Sequence, residues 1–114
     1  MNITISGSRD FKRLELVDKW LCENFTGDDT LIIGGAEGVD QRAEEYTKRC
    51  LLKYKIYKPE WDIFGRAAGP IRNNDMVVDS EKVICFWNGV SKGTKSTIES
   101  ALRHKKDLEV IFDK

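Results

Sequence analysis

Five short apolar runs, separated by stretches of helical period, constrain the fold of this chain more than any other feature. Ile3–Ser6, Thr30–Ile33, Lys55–Lys58, Lys82–Trp87 and Leu108–Phe112 each read as a strand. Phe11, Leu14, Val17, Leu21 and Phe25 recur at helical spacing after the first, through about residue 25. Val39, Ala43, Tyr46 and Cys50 mark a helix after the second. A loop holding Trp61, Phe64, Gly65 and Gly69 follows the third, and a helix opening at Gly69-Pro70 runs to about Asp79. Ile98, Ala101 and Leu102 mark the last helix. Strict alternation of strand and helix predicts a mainly parallel sheet, because parallel neighbours need crossover connections. The expected class is α/β: a single small Rossmann-like three-layer domain over residues 1–114, a mainly parallel five-stranded sheet flanked by helices.

Charge and cysteine usage narrow the function classes. Lys+Arg and Asp+Glu each number 19, so the formal net charge is zero. That speaks against general affinity for nucleic acid or acidic membranes. No apolar run approaches the roughly 20 residues of a membrane span, and MNITISGSRDF lacks the pattern of a secretory signal. Cys22, Cys50 and Cys85 read as reduced core or near-core thiols of a cytoplasmic protein. With one histidine, His104, and no CxxC, neither a metal nor a cofactor is expected.

In sheets of this kind, ligands sit beyond the carboxyl ends of the strands. GSRDF follows the first strand. Gly7 gives a tight exit, Ser8 a hydroxyl, Arg9 a planar cation and Asp10 a candidate helix N-cap. GGAEGVD follows the second. Gly34, Gly35, Ala36 and Gly38 can expose N–H groups at a helix start, and Asp40 either caps that helix or accepts a hydrogen bond from a ribose. In AGPIRNNDM, Arg72 and Asn73 fall in the expected first helical turn, where an arginine opposes the dipole unless an anion binds there. After the fourth strand, Ser91, Gly93 and Thr94 lead into another helix. Each feature has a plain structural alternative: glycine as turn punctuation, Arg9 as a solvated side chain, Asp40 as a cap, Met76, Trp61 and Trp87 as packing. The functional case rests on their coincidence at every strand end.

GxGxxG is absent, and the near Walker A run from Gly89 to Ser96 has Thr94 where the second glycine belongs. No GxSxG, HExxH or calcium-loop pattern occurs, and Cys85 lies within an apolar strand.

Taken together, GSRDF, GGAEGVD, Trp61, AGPIRNNDM, VICFWNGVSKGT and Ala101 resemble, in order and spacing, the DUF2493/YspA group of the SLOG superfamily, over nearly the whole chain. That resemblance implies a Rossmann-like fold, a nucleotide or nucleotide-derived ligand, and a bacterial or phage source. It also implies kinship with the LONELY GUY phosphoribohydrolases and with DprA. Arg72 and Met76 are similar to the LONELY GUY arginine helix motif, whose lysine is Asn73 here. Gly93-Thr94 is similar to its glycine motif, whose glutamate position is Thr97; Glu99 lies roughly 200° further round a helix.

The expected function is therefore binding of a nucleotide-derived small molecule, as sensor or sequestering protein. Gly34, Gly35, Gly38, Gly93 and Thr94 would cradle a phosphate between Ser8 and Arg9 on one side and Arg72 on the other. Asp40 or Asn73 would read ribose or base, and Trp61 or Trp87 would stack on the base. Replacing Arg72 with alanine is expected to weaken binding and leave stability nearly unchanged. The alternative is an N-glycosidic hydrolase using Asp40, Asp75 or Glu99 as its carboxylate. Nucleic-acid binding through Lys92, Lys95, Arg103, Lys105 and Lys106 is disfavoured by the acids interleaved with them. The LONELY GUY relatives commonly dimerise, so the resemblance implies a homo-oligomer.

Overall fold

The computed structural model describes residues 1–113. Its elements run β1 (Asn2–Gly7), α1 (Glu15–Asn24), β2 (Thr30–Ile33), α2 (Val39–Arg49), β3 (Lys53–Ile56), α3 (Trp61–Phe64), α4 (Ala68–Val78), β4 (Lys82–Trp87), α5 (Lys92–Arg103) and β5 (Asp107–Phe112). The strands form one sheet in the order β3-β2-β1-β4-β5, with every neighbouring pair parallel. This is the expected Rossmann-like α/β architecture.

The two faces of the sheet are built differently. Ile3, Ile5, Leu31, Ile33, Ile84 and Phe86 meet Phe11, Val17, Trp20, Leu21, Val39 and Ala43 in one large apolar cluster under α1 and α2. Fully burying a side chain such as Ile5, Leu21 or Phe86 contributes roughly 1.5–3 kcal/mol, so this layer supplies most of the hydrophobic stabilisation. The opposite layer holds the smaller cluster of Val77, Val83, Cys85 and Ala101. Its buried hydroxyls are paired with one another and with backbone. Thr4 Oγ1 lies 2.6 Å from Ser80 Oγ, Ser80 donates to the Met76 carbonyl at 2.8 Å, and Thr97 Oγ1 donates to the Gly93 carbonyl at 3.3 Å. Small side chains let α4 and α5 lie close to the strands, and Asn74 ties the two helices together by accepting from Ser100 and Arg103 and bonding His104 Nε2.

Three local expectations change. β3 starts at Lys53 rather than Lys55, because Leu52 N–H closes the end of α2 on the Thr47 carbonyl and the register then pairs Lys53 with Thr30. At this edge strand Lys53, Tyr54 and Lys55 are all exposed, so apolar alternation carried little information there. The first helix starts at Glu15, and Phe11 instead lies in the preceding loop, edge-on to Phe86 at 5.6 Å between centroids. Asp10 therefore caps no helix; its carboxylate accepts from Asn88 Nδ2 at 2.9 Å. The expected loop before Pro70 folds as α3 and a 3₁₀ turn, Gly65–Ala67, running directly into α4. Pro70 falls within the first turn of α4, where its missing N–H costs nothing, and Arg72 lies two residues deeper, in the second turn rather than the first that its spacing from Gly69-Pro70 suggested. Of the cysteines only Cys85 is buried; Cys22 and Cys50 are exposed.

Candidate functional site

The strand order decides where a ligand can sit. The chain moves outward from β1 through β2 to β3, then returns to place β4 on the other side of β1. Adjacent connections thus leave in opposite directions at the β1/β4 boundary, which opens a crevice beyond the strand ends. A crevice of about 580 Å³ lies there. Ser6, Gly7, Arg9 and Asp10 line it from the β1 side, Ala36 and Asp40 from the turn after β2, and Arg72, Asn73 and Met76 from α4. Asn88, Ser91, Gly93 and Thr94 complete it from the β4 side. Of the residues singled out in the sequence, Gly7, Arg9, Ala36, Asp40, Arg72, Asn73, Ser91, Gly93 and Thr94 meet here. Gly35 and Gly38 instead line an adjoining trough of about 690 Å³ that shares Arg9 and Ala36 with the crevice.

Three glycines of the site are explained by the approach of the chain to itself. A Cβ on Gly7 would fall 2.4 Å from Val39 Cγ2, so this glycine seats α2 against β1. A Cβ on Gly34 would fall 2.5 Å from Arg72 Nη1. Gly38 has φ +79° and a Cβ there would fall 2.5 Å from the Arg9 carbonyl oxygen. Gly93 differs: nothing lies within 4 Å of where its Cβ would be, and it lines the crevice.

Two N–H groups of the β2 exit turn are already taken. Gly34 N–H and Ala36 N–H both donate to Asp40 Oδ2, at 3.2 Å each. The chain's own carboxylate thus occupies the nest that the glycine pattern suggested for a phosphate. Asp40 Oδ1 is buried and has no hydrogen-bond partner among the described residues. Burial pushes the Asp40 carboxyl up to about 6, against the opposing pull of the Ala36 N–H, Arg72, the Gly34 N–H and Arg9.

The sign of the resulting pH dependence follows from that upward shift. Below about pH 4 the group is neutral in both folded and unfolded chains, and as pH rises through 6 the folded protein must bury a charge. Compared with Asp40→Asn, whose amide oxygen can still accept from Gly34 and Ala36, the wild type should lose up to about 3 kcal/mol over this interval. Urea midpoints measured across the interval test it; parallel profiles for the two proteins would refute the assignment.

Arg72 is held by carbonyls at the strand ends. Nη1 donates to Gly34 O at 2.7 Å and to Tyr57 O at 3.2 Å, and Nε donates to Asn73 Oδ1 at 2.9 Å. Asn73 Nδ2 in turn donates to Gly93 O at 3.3 Å, which links α4 to α5. Burial lowers the Arg72 pKa, with Asp40 opposing and Arg9 adding to the shift. These bonds stand against the expectation that Arg72→Ala would spare stability: the side chain stitches the end of β2 and the segment after β3 to α4.

The β4 exit is an Asx turn. Asn88 Oδ1 accepts from Val90 N–H at 2.9 Å and Ser91 N–H at 2.8 Å. Asn-Gly directly after a strand was the sequence signal for it, and Asn88 was overlooked there, as was Ser6; Met76, read from the sequence as packing, lines the crevice as well. Ser8 is fully buried below the crevice, where its hydroxyl accepts from Asn88 N–H at 3.1 Å. Ser91 caps α5 by accepting from Thr94 N–H at 3.4 Å. The Lys92 and Gly93 amides of that first turn have no partner among the described residues, and a helix start of this kind favours an anion.

The fold is similar to that of DNA processing protein A (DprA) from Streptococcus pneumoniae. The match has a TM-score of 0.81 at 17% identity and covers 96% of this chain. It covers 49% of the DprA chain, so this sequence spans about half of that protein's length. Likeness to DprA at this identity bears on the fold alone. The protein-family models and the curated proteins searched contain no match to the sequence.

Inside this DprA-like frame, the side chains proposed for base stacking and for alternative acid chemistry lie elsewhere. Trp61 is exposed on α3, and Trp87 packs against Phe112 and donates to the Ser91 carbonyl, so neither lines the crevice. Asp75 and Glu99 are exposed and also outside it. Among the described residues no helix is long and apolar enough to cross a membrane, and no three His, Cys, Asp or Glu side chains gather as a metal site requires.

Proposed function

We propose that the crevice at the β1/β4 boundary binds a nucleotide or nucleotide-derived small molecule, in keeping with a DUF2493/YspA-like member of the SLOG superfamily. The observation that carries this reading is Gly93, a crevice-lining glycine at the start of α5 whose missing side chain serves no contact within the protein. A ligand phosphate close to its backbone would use the open amides of the first turn, with Arg9 and Arg72 bordering the same space. The likeness to DprA supports the frame, and the position at the switch point supports the place. A protein that senses or sequesters such a ligand needs no catalytic acid, which fits Thr97 standing at the glutamate position of the resembled motif.

Gly93→Val tests this directly. The space around Gly93 is open, so the variant should melt within a few degrees of the wild type, on the order of 0.5 kcal/mol or less. Its affinity for adenosine, guanosine, cytidine or uridine monophosphate, measured by calorimetry, should fall about tenfold or more, the cost of losing one charge-assisted contact. Equal affinity in the two proteins, or no binding of any of the four by folded wild type, would reject the reading.

One observation favours a hydrolytic second reading: Asp40, with its carboxyl pushed up to about 6, lines the same crevice as Arg72. A group poised there can exchange a proton near neutral pH. Release of free base from a nucleoside monophosphate, abolished by Asp40→Asn, is the expected result of that chemistry.

A further inference from the structure

We infer that Asp40 is the residue that recognises a sugar hydroxyl of the ligand, which makes the crevice selective for phosphorylated sugars carrying a free hydroxyl. The inference rests on the nucleotide reading above. The sequence left this role open between Asp40 and Asn73, and the hydrogen-bond inventory separates them. Asn73 is committed at both ends, its oxygen to Arg72 Nε and its nitrogen to the Gly93 carbonyl. Asp40 is committed at one oxygen only, and the two backbone N–H groups that hold Oδ2 fix the orientation of the other. Oδ1 is left without a donor in a residue that is only 5% exposed and lines the crevice. An unpaired buried acceptor is costly, so a donor that reaches it gains more than one added to a solvated carboxylate.

The surroundings say what kind of donor. The cations nearest in charge terms, Arg72 and Arg9, form no ion pair with Asp40 among the described residues, and Arg72 is already bound to carbonyls. A bare anion such as inorganic phosphate would meet the negative charge of Asp40 without satisfying it. A ligand that carries both a phosphate for the α5 start and a neutral hydroxyl for Asp40 satisfies both of these lining groups. Cys85, the other titratable group influenced by Asp40, is a buried thiol that burial keeps neutral, with a pKa pushed up to about 12. It neither competes for the hydroxyl nor supplies the missing charge.

Calorimetry at about pH 7.5, where Asp40 is ionised, reads the effect. The probes are adenosine monophosphate, its analogue lacking both ribose hydroxyls, and inorganic phosphate. The wild type should bind the analogue about tenfold or more weakly than the ribonucleotide, and phosphate more weakly still. In Asp40→Asn, which keeps an acceptor for Gly34 and Ala36, the preference for the ribonucleotide should shrink to about threefold or less, since the charged acceptor is gone. Equal binding of nucleotide and analogue by the wild type overturns the inference and leaves the nucleotide reading standing. An undiminished preference in Asp40→Asn does the same. Failure of all four ribonucleoside monophosphates to bind overturns the nucleotide reading itself, and the inference with it.

Discussion

Arg72→Ala should lower stability by about 2–3 kcal/mol, which for a chain of this size is a fall in melting temperature of roughly 10 °C or more. Hydrogen bonds to a charged group are worth more than neutral ones, and this guanidinium serves two carbonyls, Gly34 O and Tyr57 O, together with Asn73 Oδ1. Removing it strands a buried strand-end carbonyl and leaves a gap that only a glycine at position 34 allows. Ligand affinity should fall as well, so stability and binding must be measured separately. Arg72→Lys restores a charged donor for the two carbonyls, which Nη1 alone serves, but not the Nε–H bond to Asn73 Oδ1, and should recover only part of the lost stability. A melting temperature within about 2 °C of wild type for Arg72→Ala would show that the stitch contributes nothing.

Gly38→Ala should be at least as damaging. The residue has φ +79° and ψ −117°, a conformation open essentially to glycine alone, with a strain of about 1–3 kcal/mol for any other residue. The added Cβ would also lie 2.5 Å from the Arg9 carbonyl oxygen, and backbone cannot swing aside as a side chain does. Overpacking adds about 1–3 kcal/mol. Typical domains have only about 5–15 kcal/mol in total, so a loss of 3 kcal/mol or more is a large share. Chemical denaturation compares it with Gly93→Ala, where the Cβ meets open space and alanine favours the helix start. If the two alanine variants proved equally stable, the strain assigned to Gly38 would be unsupported.

Two inner strands, β2 and β4, were legible in the sequence because they are apolar on both faces, and β1 by its alternation of isoleucine with Thr4 and Ser6. Thr30–Ile33 and Lys82–Trp87 coincide with β2 and β4. β3 was displaced because a four-residue edge strand with exposed Lys53, Tyr54 and Lys55 has no buried face to impose a pattern. The site was legible as a gathering of strand-end loops, since the switch-point rule needs only element order. What each residue does there was not. Glycine spacing alone cannot distinguish approach of a ligand from approach of Val39, Arg72 or the Arg9 backbone. An acid after a glycine turn cannot announce that it will fill the nest itself, as Asp40 does. Helix-start rules placed Arg72 in the first turn rather than the second because the Trp61–Phe64 segment, with no buried residue, gave no sign of joining the helix that follows.

The central pairing of β1 with β4 has a consequence for how the molecule comes into being. Ile3 pairs with Lys82 and Gly7 with Phe86, so β1 waits for β4, made about 75 residues later, before its second edge is covered. Until then Thr4, Ile5 and Ser6 present unpaired backbone to the surroundings, the kind of edge that recruits other chains. The crevice spans the same seam, and so forms only once β4 and the start of α5 have been made; a ligand held there would act as a clasp on the joined strands, drawing the equilibrium toward the closed sheet by mass action.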